Sequence, residues 1–355
     1  MKSVTLKEIA EKSGVSIGTV ARALNNRGRI SAETQKKILK IATKLGYTPN
    51  IMARALSTNK HCRILAVVPK SPSYFFDIVY KGMQDAAAKL EGFKFVVDYI
   101  RPERVNEVSV MDLLDGLNKE KIDGVVLLPS AEMKNTIDRL AEQNVPVITY
   151  NCDSENSKRL CYIGQNTLQA GKIAGELMGR FLCGEGNVVV LTGGRNVEAF
   201  SQRKKGFTSE LKTHFKGIKI IENAEYFEDD VKAEKLVREF IQQEKKLTGI
   251  FATSQCGTVG AVRAVRNAKL ERHPIIVGYD TGKEVKLALE KEYLTATLSQ
   301  DPYMQGYYSV SLMARVLLNQ WEPPRKHYYI KSRIIMRNNA DESEVTMNMK
   351  NLYDF

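Results

Sequence analysis

Residues 5–60 read TLKEIAEKSGVSIGTVARALNNRGRISAETQKKILKIATKLGYTPNIMARALSTNK, and how they fold decides how the rest of the chain is understood. Thr5-Leu6-Lys7-Glu8 has the T-x-x-E spacing of a capping box, in which the threonine hydroxyl accepts from the backbone of the first turn and the glutamate reaches back. A helix from about residue 6 to 12 follows, with Leu6, Ile9 and Ala10 on its apolar face. Gly14 permits a sharp turn, and Ser16 caps a second helix from about Ile17 to Asn25. On this helix Val20, Ala23 and Leu24 face inward, while Ile17, Gly18, Ala21, Arg22 and Asn25 form a mostly small and polar stripe. Such a stripe is odd for a core helix and suits one laid in a groove. Ser31 caps a third helix, from about Ala32 to Leu45, which adds Ile38, Ile41, Ala42 and Leu45 to the shared core. Helix, short turn, helix and supporting helix is the helix-turn-helix plan.

Charge singles out the same segment. The chain has 355 residues, enough for two or three domains, with 53 Lys+Arg against 41 Asp+Glu and a formal net charge of +12. Twelve of those basic residues and only three acids fall within residues 1–60, a net +9 that leaves +3 for everything after it. The basic excess belongs to the N-terminal module and points that module at a polyanion. The five cysteines, Cys62, Cys152, Cys161, Cys183 and Cys256, form no C-x-x-C pair, and His61, His214, His273 and His327 are scattered. Neither a disulfide framework nor a metal site is expected, and no cofactor motif is legible. Apolar runs such as Ile64 to Val68 are too short for a membrane span or a signal peptide, so a soluble cytoplasmic protein is expected.

The whole N-terminal string resembles the DNA-binding headpiece of the lactose-repressor (LacI/GalR) family. The resemblance rests on the A-x-x-x-G-V-S-x-x-T-V run from Ala10 to Val20, Leu24-Asn25, Ile30-Ser31, Thr34, and G-Y-x-P-N-x-x-A-R-x-L from Gly46 to Leu56. Any one of these residues could merely pack a small helical bundle; the ungapped string with its basic balance says more. Ser16, Thr19, Asn25, Ser31, Thr34 and Tyr47 offer short donors for phosphate oxygens near helix N-termini, and Thr5 and Leu6 complete the DNA-facing set. Arg22 is the residue placed to read a guanine edge. Ile17 and Gly18 stand where the family varies its operator preference; Gly18 has no side chain, so readout there passes to Ile17 against a thymine methyl. Ala21 replaces a serine common in the family, which removes one phosphate contact. Residues 50–57 resemble the hinge helix, with Asn50 as its cap, Ala53 and Arg54 facing DNA and Leu56 as a minor-groove wedge. An eight-residue helix is marginal alone, so it is expected to order only when two copies pair on DNA. The implied assembly is a homodimer on double-stranded operator DNA.

From Cys62 onward, short buried runs alternate with amphipathic stretches. Strands are expected near Ile64–Val68, Lys94–Tyr99, Gly124–Leu128, Val145–Tyr150 and Leu160–Ile163, with helices near Phe76–Glu91, Glu103–Asn118, Met133–Asn144 and Gln169–Phe181. A second series has strands near Asn187–Leu191, Ile218–Ile221, Gly249–Ala252, Ile275–Gly278 and Thr295–Leu298, and helices near Val197–Phe215, Asp230–Gln243, Thr258–Asn267 and Lys283–Glu290. Two doubly wound α/β lobes with parallel sheets follow, their ligand cleft at the carboxyl ends of the strands. Tyr328 to Ile335 reads as one late strand. The expected division is a helix-turn-helix domain at 1–49, a hinge at 50–60, and a two-lobed effector and dimerisation domain at 61–340. Its lobes span about 61–161 and 162–295, with later segments crossing between them, and a tail occupies 341–355.

This region is similar to the family's effector domain, a relative of sugar-binding transport proteins. The resemblance implies a loop at Ser73-Tyr74-Phe75-Phe76 whose aromatics stack on a sugar, with Ser73, Phe75 and Phe76 as contacts. It also implies that Arg203 (in R-x-x-G-F), Asp280 (in V-G-Y-D) and Gln300 (in A-T-L-S-Q-D-P) bind sugar hydroxyls. Ser254 stands where the family often has asparagine; its shorter reach leaves open a different sugar, or a ligand that is not one. Few cations accompany the cleft loops, which favours a neutral carbohydrate over a sugar phosphate.

Other motifs fail on context. Gly14-Val15-Ser16-Ile17-Gly18 fits G-x-S-x-G but follows an amphipathic helix where that motif needs a buried strand. Gly184-x-Gly186 lacks the third glycine of a dinucleotide fingerprint, and Gly171-Lys172 lacks the rest of a phosphate loop. The expected function is therefore an effector-controlled transcriptional regulator, a repressor by family habit, and not an enzyme. An α/β enzyme on a small polar metabolite, fused to a DNA-binding module, is the alternative.

Overall fold

The computed structural model describes residues 5–24, 30–45, 61–103, 122–194, 197–243, 246–319 and 321–340. The chain divides into two compact units, one around residues 1–57 and one over 58–347.

In the first unit, helices α1 (Leu6–Ser13), α2 (Ile17–Leu24) and α3 (Ala32–Lys44) close on one small core. The capping box is formed: Glu8 N donates to Thr5 Oγ1 at 3.3 Å, and Thr5 N donates to Glu8 Oε2 at 2.8 Å. Gly14 ends α1 at φ 73°, a left-handed conformation that glycine adopts without penalty, and its N–H closes on Ala10 O at 2.9 Å. Ile9, Ala10, Val20, Ala23, Ile38 and Ala42 are buried together, with Leu6, Leu24, Ile41 and Leu45 packed around them. Fully burying each large aliphatic side chain contributes about 1.5–3 kcal/mol, which holds together helices too short to persist alone.

The second unit has two lobes. In the first lie β1 (Cys62–Val67), α4 (Ser73–Ala88), β2 (Phe95–Ile100), β3 (Gly124–Leu127), α5 (Lys134–Glu142), β4 (Val147–Tyr150) and β5 (Cys161–Gln165). The chain crosses over and builds α6 (Thr167–Phe181), β6 (Glu185–Thr192), α7 (Glu198–His214), β7 (Gly217–Glu225), α8 (Asp230–Gln243), β8 (Leu247–Ala252), α9 (Gln255–Asn267), β9 (Ile275–Tyr279), α10 (Lys283–Glu290) and β10 (Ala296–Ser299). It returns to the first lobe with α11 (Pro302–Asn319) and β11 (His327–Ile330), then crosses again with β12 (Arg333–Ile335). The sheet orders are β11-β5-β4-β3-β1-β2 and β12-β10-β9-β8-β6-β7. All neighbours run parallel except β12 against β10. Helices cover both faces, so the central strands β3, β4, β5 and β10 are buried at every residue.

Two expectations need correction. Tyr328 to Ile335 is two strands, because Lys331 and Ser332 interrupt it and carry the chain from one sheet to the other. Ser73–Phe76 is not a loop but the first turn of α4. The long helix α11 has no counterpart among the expected elements: it is buried on most sides, so it lacks the single apolar stripe that marks a surface helix. The helix expected over Glu103–Asn118, the hinge at 50–57 and the tail at 341–355 lie outside the described residues, apart from Glu103 itself.

Helices α6 and α7 cross almost backbone to backbone. A Cβ on Gly171 would stand 2.1 Å from Arg203 O, and one on Gly206 would stand 2.1 Å from Leu168 O. This crossing sets the position of α7 and therefore of Arg203. Gly171→Ala is expected to destabilise the effector domain by about 1–3 kcal/mol, as overpacking against backbone does. Denaturant unfolding of the full chain checks it.

Candidate functional site

On the first unit, the second helix presents the residues expected at DNA. Ser16 caps α2, accepting from Thr19 N at 3.1 Å, and its Oγ lies 2.9 Å from Thr19 Oγ1. Arg22 is exposed and folded along its own helix, Nε donating to Gly18 O at 3.1 Å. Ile17 is 48% exposed, with no core role to account for it. Ser31 repeats the cap on α3, accepting from Thr34 N at 3.2 Å. Thr5 is exposed at its capping box, and Leu6 is partly buried against the core. Asn25, Tyr47, Asn50, Ala53, Arg54 and Leu56 lie outside the described residues.

In the second unit the strands of both lobes end at one cleft, and Arg203 is its centre. It reaches up from α7, only 2% exposed, over the Tyr279 ring at 4.0 Å. Its Nη1 donates to Thr253 O at 2.8 Å, and its Nη2 donates to Gln300 Oε1 at 2.8 Å and Gln165 Oε1 at 3.2 Å. Nε has no partner, a buried donor of the kind that ligands satisfy. Gln300 Nε2 donates onward to Asp280 Oδ1 at 2.9 Å, and Gln165 Nε2 donates to Ser332 Oγ at 2.9 Å. Gln165, Gln300 and Ser332 sit on the three crossovers between the lobes. One hydrogen-bonded chain, Ser332–Gln165–Arg203–Gln300–Asp280, thus ties every crossover to the cleft.

Around this chain stand Ser254, Glu228, Tyr226, Tyr74 and Cys256. Ser254 Oγ donates to Glu228 Oε1 at 2.6 Å and lies 2.6 Å from Tyr226 OH. Tyr74 belongs to the first lobe, yet its hydroxyl lies 3.7 Å from Cys256 Sγ on the second. Burial pushes the carboxyls of Asp280 and Glu228 above the usual carboxylate range, with Arg203 and Gln300 opposing the shift at Asp280 and the Ser254 and Tyr226 hydroxyls opposing it at Glu228. Burial likewise pushes the Cys152 thiol up to about 11 and Cys256 up to about 12, which keeps both protonated and poor nucleophiles. The arrangement suits binding polar groups.

Arg203, Ser254, Asp280 and Gln300 are therefore gathered at one place. Ser73 is exposed on the first turn of α4. Phe75 and Phe76 are 4% and 6% exposed and pack edge to face, 5.1 Å between centroids. Tyr74 is the residue of that run that reaches the opposite lobe, which the aromatic run alone did not distinguish. Glu228 carries no motif and stands just ahead of the helix expected from Asp230; Asp229 caps that helix, α8, accepting from Lys232 N at 2.9 Å. Gln165 and Ser332 carry no motif. Backbone strain is a further signal: Asn151, Phe227, Glu228, Asp280 and Asp301 all have φ between 48° and 65°, and all follow closely on a strand end at the cleft. Left-handed non-glycine residues cost on the order of 1–3 kcal/mol each and gather where function requires an aimed side chain. A separate groove of about 770 Å³ runs along the outer face of α7, past Lys204, Lys205 and Lys212. Arg203, Asp280 and Glu228 do not border it.

Residues 64–320 match the periplasmic binding protein domain, and residues 5–50 match the bacterial regulatory proteins of the lacI family. Among curated relatives, the probable HTH-type transcriptional repressor ExuR of Bacillus subtilis is 26% identical over 291 residues, 78% of this chain and 81% of that protein. The ribose operon repressor of Halalkalibacterium halodurans is 24% identical over 359 residues, 97% of this chain and 99% of that protein. Among solved structures, the glucose-galactose binding protein GanP of Geobacillus stearothermophilus superposes with a TM-score of 0.71 at 25% identity, over 79% of this chain and 99% of that one. No helix among the described residues is long and apolar enough to cross a membrane.

The raised carboxyl of Asp280 has a consequence for stability. A folded-state value above the unfolded one means stability that is full at low pH and lost as pH rises through the folded value. Asp280→Asn is expected to raise the thermal midpoint of the ligand-free protein at pH 8, the gain shrinking toward pH 4. Thermal unfolding at the two pH values checks the sign.

Proposed function

The chain belongs to the periplasmic binding protein domain family and carries a lacI-family regulatory module ahead of that domain; on that premise we propose that it is a sequence-specific transcriptional repressor whose hold on operator DNA is set by a sugar bound between the two lobes. The hydrogen-bonded chain through Arg203 carries this reading, because it joins the sugar-facing Asp280 and Gln300 to all three crossovers. A ligand that satisfies the free Nε of Arg203 and the Asp280 carboxylate acts directly on the segments about which the lobes move. Relatives named as ribose and sucrose operon repressors support both halves of the proposal.

The protein acts as a homodimer, with each α2 in a major groove and half-sites about 34–36 Å apart. The hinge at 50–57 and the domain division at 60/61 belong to this reading. Ser16, Thr19, Ser31 and Thr34 position the headpiece on phosphates, and Arg22 reads a base. Effector and operator sites are coupled by a free energy of about 1–3 kcal/mol, or roughly 5–150-fold in affinity.

Duplex selection from a random pool is expected to yield a palindrome whose affinity falls steeply with salt. Arg22→Ala should cost about 1–3 kcal/mol there and relax preference at one base pair of each half-site. A thermal-shift screen of sugars should give a hit that Asp280→Ala abolishes and that changes operator affinity. Turnover of the hit, or an operator affinity indifferent to it, contradicts the proposal.

A further inference from the structure

Among the described residues the charges of the cleft do not balance. Arg203 is buried there, and its Nη atoms are committed to neutral oxygens of Gln165, Gln300 and Thr253. The guanidiniums nearby have carboxylates of their own: Arg159 pairs with Asp153, Arg333 with Asp301 at 2.6 Å and Arg101 with Asp77 at 2.6 Å. Two carboxylates remain. Asp280, 8% exposed, accepts from Gln300, and Glu228 accepts from Ser254; neither has a cationic side chain within ion-pair distance among the described residues.

Glu228 is held there by construction. Phe227 and Glu228 both take left-handed φ, 55° and 57°, which turns the carboxylate inward and leaves Phe227 62% exposed. Gly193 makes room for it: a Cβ at that position would stand 2.3 Å from Glu228 Oε1. Backbone strain, a side-chain-free neighbour and the Ser254 hydroxyl thus place a partly buried carboxylate beside Ser254, in the cleft where Arg203 Nε is unsatisfied. A carboxylate so placed repels uronates and sugar phosphates and attracts a cation.

Resting on the reading of the cleft as a sugar site, we propose that the effector is an amino sugar, its hydroxyls on Asp280 and Gln300 and its protonated amine on Glu228. Glu228 is then the residue that selects ligand charge. Hydroxyls alone leave one carboxylate in excess; an ammonium removes it with a charge-assisted hydrogen bond.

The test is titration calorimetry of the full chain with D-glucosamine, N-acetyl-D-glucosamine, D-glucose, D-glucuronate and D-glucose 6-phosphate, and with the galacto series of the same five. The free amine in one series is expected to bind at least tenfold tighter than its acetylated and neutral counterparts, with the two anions weakest. Glu228→Gln should erase that tenfold preference. A neutral or anionic member that binds as tightly as the amine overturns the inference and leaves the sugar cleft standing. No binding by any member likewise overturns the inference, and the broader sugar screen decides separately whether the cleft takes a sugar. Because the comparison is among ligands on the wild-type protein, a variant that fails to fold does not remove the test.

Discussion

A guanidinium withdrawn from water must find acceptors for its donors, and this demand of Arg203 organises the effector domain. No single lobe supplies them. Gln165 comes from the end of β5 in the first lobe, Gln300 from the end of β10 in the second, and Thr253 O from the end of β8. Arg203 therefore joins the lobes through its own hydrogen bonds. The position of Arg203 depends in turn on the backbone contact of α6 and α7 at Gly171 and Gly206.

Electrostatics separates the chain into two different surfaces. Residues 1–60 carry a net +9 and are built to meet a polyanion, with small polar side chains and one arginine along α2. Among the described residues of the second unit's cleft, Asp280 and Glu228 have no ion-pair partner, in a region where burial already disfavours their charge.

Much of this was legible without coordinates, where the physics is local. The capping box at Thr5, the left-handed Gly14 and the inward faces of three short helices follow from rules that act over a few residues, and those three helices begin and end within a residue of expectation. The alternation of buried strands and amphipathic helices likewise revealed two lobes. What escaped depends on distance. α11 lacks a polar face because it is enclosed, the run at Tyr328–Ile335 serves two sheets because of where the second crossing falls, and Gln165, Glu228 and Ser332 matter only through partners far away in sequence. Arg203, Asp280 and Gln300 come from a family pattern; that pattern marks the run at Ser73–Phe76 without singling out Tyr74, and it does not extend to Glu228.

If the chain from Asp280 to Ser332 carries the signal, it must be breakable without destroying either binding site. Gln165→Leu removes the acceptor that links Arg203 to the first and third crossovers while leaving the Gln300 and Thr253 contacts in place. The decisive measurement is the operator dissociation constant of this variant with and without a saturating sugar, beside its affinity for the sugar alone. The account predicts that sugar affinity stays within a few fold of wild type and that the operator affinity no longer responds. An operator response of wild-type size in a variant that still binds the sugar would contradict it.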